Sequence, residues 1–146
     1  MSLRPVGLEM PARILTADDH EIVREGIRTL ITRSRPDWEI CYEARNGKEA
    51  IEGVRTSLPD VAILDITMPE MSGLKAASEI AKLGLACRVL VFTMHDSERL
   101  PIEVRRSGAH GFVLKSQASR DLVRAIDHIL VGGTFFGGAP TPQAGV

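Results

Sequence analysis

The 146-residue sequence has little of several features that mark particular protein classes. Its two cysteines, Cys41 and Cys87, are too few for a disulfide framework and lack the spacing of metal ligands. Neither sign of charge dominates, because 18 Lys and Arg face 19 Asp and Glu, whereas a nucleic-acid surface spread over the chain would be clearly basic. No apolar run approaches the roughly 18–20 residues that cross a bilayer, and the first residues do not resemble a secretory signal. We therefore expect a cytoplasmic protein without membrane contact.

What the sequence does contain is an alternation of short apolar runs with helical patterns, repeated five times. The runs are residues 13–17, 38–43, 61–64, 89–92 and 111–114. The third run is continuous and apolar, as expected for a central strand that is buried on both faces. Alternating strands and helices favour a parallel sheet covered by helices on both sides. We predict an α/β fold, a doubly wound, flavodoxin-like (βα)5 sandwich whose five parallel strands have the order 2-1-3-4-5.

The predicted domain boundaries follow changes in composition near the two ends. Residues 1–11 are interpreted as an N-terminal extension and residues 12–131 as the domain itself. From residue 132 onward the sequence holds five of the 13 glycines and two prolines. Residues 132–146 are therefore predicted to be a linker or a frayed tail.

Polar residues close four of the five predicted strands. Asp18 and Asp19 follow the first strand, and Asp65 follows the third. Thr93 and Lys115 close the fourth and fifth strands. Doubly wound sheets bind ligands beyond the carboxyl ends of their strands, where the strand order switches. We therefore expect the three acids to converge on one pocket.

This set of residue types indicates a particular chemistry. Three neighbouring carboxylates repel one another unless a proton or a hard cation neutralises them. Oxygen ligands suit Mg²⁺, which typically keeps several waters and takes one or two carboxylates together with a phosphate oxygen. Thr93 adds a hydroxyl donor, and Lys115 adds a mobile positive charge that suits phosphate. The sequence therefore predicts phosphoryl transfer onto Asp65, with Mg²⁺ as the cofactor.

Three segments also carry a resemblance to a known family. Residues 17–26 read Ala-Asp-Asp-His-Glu-Ile-Val-Arg-Glu-Gly, residues 65–74 read Asp-Ile-Thr-Met-Pro-Glu-Met-Ser-Gly-Leu, and residues 108–115 read Gly-Ala-His-Gly-Phe-Val-Leu-Lys. Together with the strand-end residues, they resemble the receiver domain of two-component response regulators, and the NarL/FixJ (LuxR-type) class in particular. The resemblance extends from about residue 12 to about residue 133.

The resemblance implies a role for each residue at the acidic end of the sheet. Asp65 would be the phosphoacceptor, and Asp19 would bind the metal directly. Asp18 would act on the metal through water, and the backbone carbonyl of Thr67 would complete the protein ligands.

The resemblance also implies a switch. Thr93 and Lys115 would hold the phosphoryl oxygens, and Phe112 would be an aromatic residue that moves inward together with Thr93. Many relatives have tyrosine at the position of Phe112, so no switch hydroxyl is available in this chain. Pro101 lies where the fourth helix is expected, and it fits the first turn of a helix better than the interior.

The function implied by the resemblance is a signalling switch that catalyses only its own phosphorylation and dephosphorylation, and not a metabolic enzyme. A sensor histidine kinase would donate the phosphoryl group, and a second copy of the chain is a candidate partner after phosphorylation. Members of this class usually continue into a helix-turn-helix domain. We expect either a single-domain receiver or the N-terminal part of a transcription regulator, with DNA contact only through a C-terminal domain absent from this chain.

Two other functions remain open at this point. A haloacid-dehalogenase-like phosphatase also uses a strand-end aspartate, Mg²⁺, threonine and lysine. Such a phosphatase needs a second aspartate two residues after the nucleophile, where this chain has Thr67, and its paired acids come late in the chain. A flavodoxin-like cofactor binder would need a Ser/Thr/Gly-rich phosphate loop after the first strand, where residues 18–21 are Asp-Asp-His-Glu.

Some residues near the predicted pocket have ordinary structural interpretations. The pair Asp18–Asp19 also suits the N-cap of a helix. The four histidines show no metal spacing and are interpreted as surface or loop residues. His95 lies two residues beyond Thr93 and is a candidate for the mouth of the pocket.

Overall fold

The computed structural model describes residues 11–136, which form a parallel sheet covered by five helices. The strands are β1 (Arg13–Ala17), β2 (Glu39–Ala44), β3 (Val61–Asp65), β4 (Arg88–Thr93), β5 (Gly111–Leu114) and β6 (Phe135–Phe136). The helices are α1 (Glu21–Ser34), α2 (Gly47–Ser57), α3 (Gly73–Lys82), α4 (Leu100–Arg106) and α5 (Ala118–Leu130). Among these described helices, none has the length and apolar character needed to span a membrane.

The sheet has the order β2-β1-β3-β4-β5-β6, and every neighbouring pair of strands is parallel. The predicted doubly wound fold and the order 2-1-3-4-5 are therefore confirmed. Ala17 at the end of β1 pairs with Leu64 of β3. This register places the residues that follow β1 beside the last residue of β3, at the edge where ligands bind in such sheets.

Within the described residues the sheet has a sixth strand, β6, in addition to the five that were predicted. Phe135 and Phe136 pair with Gly111 and Phe112 of β5, within the segment predicted to be a linker or tail. Phe135 is fully buried, and its amide donates to the carbonyl of His110 at 3.1 Å. Two residues are too few to show the alternation that marks a strand, and the glycines on both sides favour a linker. Residues 1–10 and 137–146 lie outside the described residues.

The side chains of each strand alternate between two apolar cores, one on each face of the sheet. In β3, Ala62 and Leu64 join the core beneath α2, α3 and α4. Val61 and Ile63 join the core beneath α1 and α5. Because all five residues of β3 are buried, its central position predicted from the apolar run is confirmed.

Helix α4 begins at Leu100, and Pro101 lies in its first turn. Proline is tolerated there because the amide it lacks would have no partner within the helix. The expectation for Pro101 is therefore confirmed. Leu100 and Val104 are the residues of α4 that pack into the core beside β5.

Candidate functional site: a carboxylate cluster at the sheet edge

The carboxyl ends of β1 and β3 bring three aspartates together. Asp18 and Asp19 directly follow β1, and Asp65 is the last residue of β3. One ligand atom from each of them, and one from His20, all lie within 4.8 Å of one another. The structure thus places the three acids in one cluster and adds a histidine to it.

The three carboxylates differ in their access to solvent. Asp18 is 1% exposed and Asp65 is 5% exposed, whereas Asp19 is exposed. Burying an ionised carboxylate is costly unless it is paired or hydrogen-bonded. Asp19 therefore forms the open side of the cluster, and the other two acids form its buried floor.

Lys115 lies between the two buried acids. Its Nζ donates to Oδ2 of Asp18 at 2.8 Å and lies 3.4 Å from Oδ1 of Asp65. Lys115 directly follows β5 and begins a single 3₁₀ turn that leads into α5. One ammonium thus serves two buried carboxylates.

The pKa of Asp65 is raised above its ordinary value. Burial is the main cause, and the negative charge of Asp18 adds to it. The Lys115 ammonium and the backbone N–H of Thr67 act in the opposite direction without cancelling these effects. Because two buried carboxylates share the single Lys115 ammonium, the floor of the cluster favours a further cation or a proton.

His20 is the member of the cluster that sequence reasoning missed. Its Nδ1 lies 3.0 Å from Oδ1 of Asp18 and 3.3 Å from Oδ1 of Asp19, and its amide donates to Asp18 at 2.8 Å. Its side chain is 62% exposed, so the interpretation as a surface residue is right about exposure. The available signal was its position directly after the two acids.

The same segment excludes the capping interpretation of the aspartate pair. His20 is the N-cap of α1, and its side chain makes no capping hydrogen bond. The Asp18 carboxylate instead bonds to His20 and Lys115. Its role lies in the cluster and not at the end of the helix.

Thr93 lies at the end of β4, the neighbour of β3 in the sheet. Its side chain is buried, and its Oγ1 accepts the amide of His95 at 3.1 Å. Since Oγ1 accepts this bond, the hydroxyl hydrogen of Thr93 remains available for donation. His95 itself is exposed.

The loop after β3 depends on Gly73. The amide of Gly73 donates to the carbonyl of Ile66 at 2.8 Å, and a Cβ at this position would collide with the backbone carbonyl of Asp65. Ser72 then caps α3 by accepting the amide of Lys75 at 3.2 Å. The loop is thereby folded back on Asp65, and Thr67 lies on its exposed part.

Phe112 of β5 is already buried, with 3% of its surface exposed. Its ring meets Phe136 of β6 edge-on, with centroids 6.0 Å apart and an interplanar angle of 74°. Little apolar surface is left to bury, so an inward movement of Phe112 would exchange one set of contacts for another.

Comparison with known proteins agrees with this geometry. The family model described as the response regulator receiver domain matches residues 14–127. The nitrate/nitrite response regulator protein NarL of Escherichia coli (strain K12) is 34% identical over 132 residues, which cover 90% of this chain and 61% of that protein. The oxygen regulatory protein NreC of Staphylococcus haemolyticus is 36% identical over 84% of this chain and 57% of its own length. The chain thus spans about three fifths of these curated relatives.

Solved structures show the same likeness. A LuxR-family two-component response regulator from Aurantimonas sp. SI85-9A1 is 40% identical, with a TM-score of 0.81 over 86% of this chain and 89% of that one. The signal receiver domain of a NarL response regulator from Mycobacterium tuberculosis is 31% identical, with a TM-score of 0.79 over 85% of this chain and 99% of that one. The haloacid-dehalogenase alternative receives no support from these similarities. The chain belongs to the response regulator receiver domain family, in its NarL/LuxR-type class, and is therefore a signalling domain.

Proposed function

We propose that this chain is a phosphorylation-controlled switch in which Asp65 accepts a phosphoryl group from a sensor histidine kinase. The observation that carries the proposal is the place of the Asp65 carboxylate, in a cluster of metal-ligating atoms and 3.4 Å from Lys115 Nζ. Phosphoryl transfer to a carboxylate needs a nucleophile, a cation and a group that stabilises the transferred charge. Asp65 supplies the nucleophile, the acidic cluster offers ligands for the cation, and Lys115 can stabilise the transferred charge.

The donor set fits Mg²⁺, because three of the four members of the cluster are carboxylates and one ammonium compensates only part of their charge. Asp19 and Asp65 would bind the ion directly, Asp18 would act through water, and the carbonyl of Thr67 would complete the protein ligands. The exposure of Asp19 leaves the ion a path from solvent. When bound, Mg²⁺ neutralises the carboxylates and stabilises the charge of the transferring group.

Asp65 acts as the nucleophile in its ionised form. Its attack forms a bond between a carboxylate oxygen and phosphorus, and the P–N bond of the kinase phosphohistidine breaks. The imidazole of the kinase leaves with the electron pair of that bond. Since burial and Asp18 raise the pKa of Asp65, any nearby positive charge increases the ionised fraction that can attack.

Lys115 and Thr93 are the proposed partners of the bound phosphoryl group. The group adds a charge of roughly −1.5 to −2, which competes with Asp18 for the Lys115 ammonium. Thr93 can donate its hydroxyl hydrogen to a phosphoryl oxygen, because its Oγ1 already accepts the His95 amide. Both contacts pull the ends of β4 and β5 toward Asp65.

Phe112 is proposed to follow this movement. Thr93 pairs with Leu114 of β5, two residues from Phe112, so a shift of Thr93 changes the packing of that strand. The output is a changed surface for a partner domain or for a second copy of the chain. In this role the chain turns over only its own phosphoryl group and no metabolite.

A transcriptional output is supported by the names of the relatives. One of them is the transcriptional regulatory protein DegU of Brevibacillus brevis, of which the matched segment covers 53%. We infer that the signal acts in the cytoplasm on a C-terminal DNA-binding domain that is not part of this chain. Sequencing the native reading frame beyond codon 146 tests this inference, and a frame that encodes no such domain contradicts it.

The test of the central proposal is chemical labelling of the protein with acetyl phosphate and Mg²⁺, read as intact mass. The wild type should gain one phosphoryl group, and Asp65→Asn should gain none, because asparagine keeps the shape but is not a nucleophile. Asp37→Asn alters an exposed acid far along the sequence from the cluster and should label like the wild type. Equal labelling of Asp65→Asn and the wild type would contradict the proposal.

A further inference from the structure

The edge of the sheet beside β5 is closed by β6, which places one aromatic ring on each face. Phe135 pairs with Gly111 and is fully buried in the core beneath α1 and α5. Phe136 pairs with Phe112 and packs against the opposite core, which contains Phe112 itself. This two-residue strand therefore touches both cores of the domain, and on one side it touches the proposed switch residue.

Phe136 lies between two elements that neighbour the proposed switch. On one side its ring meets Phe112 of β5 edge-on, with centroids 6.0 Å apart. On the other side the Arg105 guanidinium, from the last turn of α4, lies 4.1 Å from the centre of the Phe136 ring. Edge-on aromatic pairs and cation–π contacts are both attractive in this geometry. We name this arrangement the Phe112–Phe136–Arg105 stack.

The backbone of β6 makes few contacts with β5, and its other side-chain anchor is Phe135, whose ring meets His128 of α5 edge-on. The amide of Phe135 donates to the carbonyl of His110 at 3.1 Å. The close approach of the two strands requires Gly111, since a Cβ there would collide with the carbonyl of Phe135. A strand of two residues makes few ladder hydrogen bonds, so its position depends strongly on side-chain contacts.

We propose that β6 is the element that reads the position of Phe112, through the Phe112–Phe136–Arg105 stack. This inference rests on the proposed function, because it takes phosphorylation of Asp65 as its input. Phe112 is already buried, so a movement of its ring toward Thr93 takes the ring away from Phe136. Phe136 then loses its edge-on ring partner while the Arg105 contact remains, and β6 loosens from β5.

β6 is the last described element of the chain, so its loosening affects the segment that follows it. The residues directly after Phe136 are the glycine- and proline-containing segment 137–146. A change in the attachment of β6 is therefore passed directly to the chain that follows the domain. Arg105 couples α4 to the same event, because its guanidinium lies over the Phe136 ring and a movement of that ring changes this contact.

The test is NMR-detected hydrogen exchange of the Phe135 amide, the amide that bonds to His110, in the full 146-residue chain. Addition of Mg²⁺ and beryllofluoride, a phosphoryl surrogate, should speed this exchange by at least about tenfold. Phe112→Leu, which keeps an apolar side chain but removes the ring, should speed it without any surrogate. Arg106→Met changes the neighbouring arginine of α4 and should leave the exchange at the wild-type rate.

The two possible failures are distinguishable in the same spectra. Resonances of the residues around Asp65 report whether the surrogate binds. If they shift while the Phe135 amide keeps its wild-type exchange rate, the inference about β6 is wrong and the proposed function stands. If the surrogate shifts no resonance around Asp65, the proposed function is contradicted. The inference about β6 is then contradicted as well, because it depends on phosphorylation of Asp65. An unchanged exchange rate in Phe112→Leu would overturn the inference independently of phosphorylation.

Discussion

The acidic cluster and the β5–β6 edge lie on the same sheet but are held together by different forces. In the cluster, two buried carboxylates share the Lys115 ammonium, and the pKa of Asp65 is raised by burial and by Asp18. At the edge, Phe135 fills the core, and Phe136 lies between a ring and a guanidinium. The cluster is short of positive charge, so it responds to added charge. The edge is held mainly by packing, so it responds to changes in shape.

The largest expected difference between the two regions follows from removal of the Lys115 charge. Lys115→Met keeps most of the side-chain bulk but leaves Asp18 and Asp65 without their shared cation. We expect the free energy of unfolding, measured in urea at pH 8 without metal, to fall by about 1–3 kcal/mol. Arg55→Met is the control, because this exposed arginine pairs with the exposed Glu52 within α2, and such pairs contribute below about 1 kcal/mol.

The loss in Lys115→Met should depend on pH. Without the ammonium, the pKa of Asp65 rises further, so the folded state binds a proton more tightly than the unfolded state. The variant therefore gains stability relative to the wild type as the pH falls through that raised pKa. Equal losses for Lys115→Met and Arg55→Met, or a loss that does not shrink at low pH, would contradict the shared-cation account.

The packing of the edge is tested by Gly111→Ala. The new Cβ would collide with the carbonyl of Phe135, so β6 must move away from β5. We expect a loss of about 1–2 kcal/mol in urea denaturation, typical of overpacking. Gly26→Ala in α1 is a matched control with nothing within 4 Å of the new Cβ, and it should gain about 0.5–1 kcal/mol from helix propensity. A Gly111→Ala variant as stable as the wild type would mean that β6 does not need this close approach.

The smallest expected effect is a gain in stability. Asp65→Asn removes a buried negative charge, so its Tm without metal should exceed that of the wild type at pH 8. Because the folded-state pKa of Asp65 is raised, the wild type loses stability as pH rises from the unfolded pKa through the folded pKa. The advantage of Asn is therefore complete above the folded pKa and disappears below the unfolded one. A Tm at or below that of the wild type at pH 8 would contradict the origin assigned to the pKa rise.

Mg²⁺ should act in the opposite sense. Bound to the folded wild type, it should raise the Tm by mass action, and this rise should be much smaller in Asp65→Asn, which lacks one charged ligand. Thermal denaturation with and without Mg²⁺, and with Asp37→Asn as the control, measures the difference. An equal Mg²⁺ effect in both variants would place the ion elsewhere.

The acidic cluster could be predicted from the sequence because parallel strands align their carboxyl ends. Once residues 61–64 are interpreted as the central strand, Asp65 must emerge beside the residues that follow β1, whatever the details of packing. The contact of His20 with Asp18 and Asp19 could not be predicted in this way. It depends on the local turn that starts α1, and no periodicity encodes that turn.

The β5–β6 edge could not be predicted, for a different reason. A two-residue strand carries no period, and it lies among glycines that favour a linker interpretation. Arg105 and Arg106 follow each other in the sequence, and nothing in the sequence distinguishes one from the other. Only the fold shows that the Arg105 guanidinium lies over Phe136. Contacts between elements that are distant in sequence decide such features.

The measurement that tests the central claim most directly is the location of the acyl phosphate itself. After reaction with acetyl phosphate and Mg²⁺, borohydride reduction converts a phosphorylated aspartate into homoserine. Tandem mass spectrometry of the tryptic peptide that spans residues 56–75 then assigns the changed residue, because this peptide holds both Asp60 and Asp65. The account predicts homoserine at position 65 and unchanged Asp60. Homoserine at any other aspartate, or an unmodified Asp65 in protein that has gained the phosphoryl mass, would contradict it.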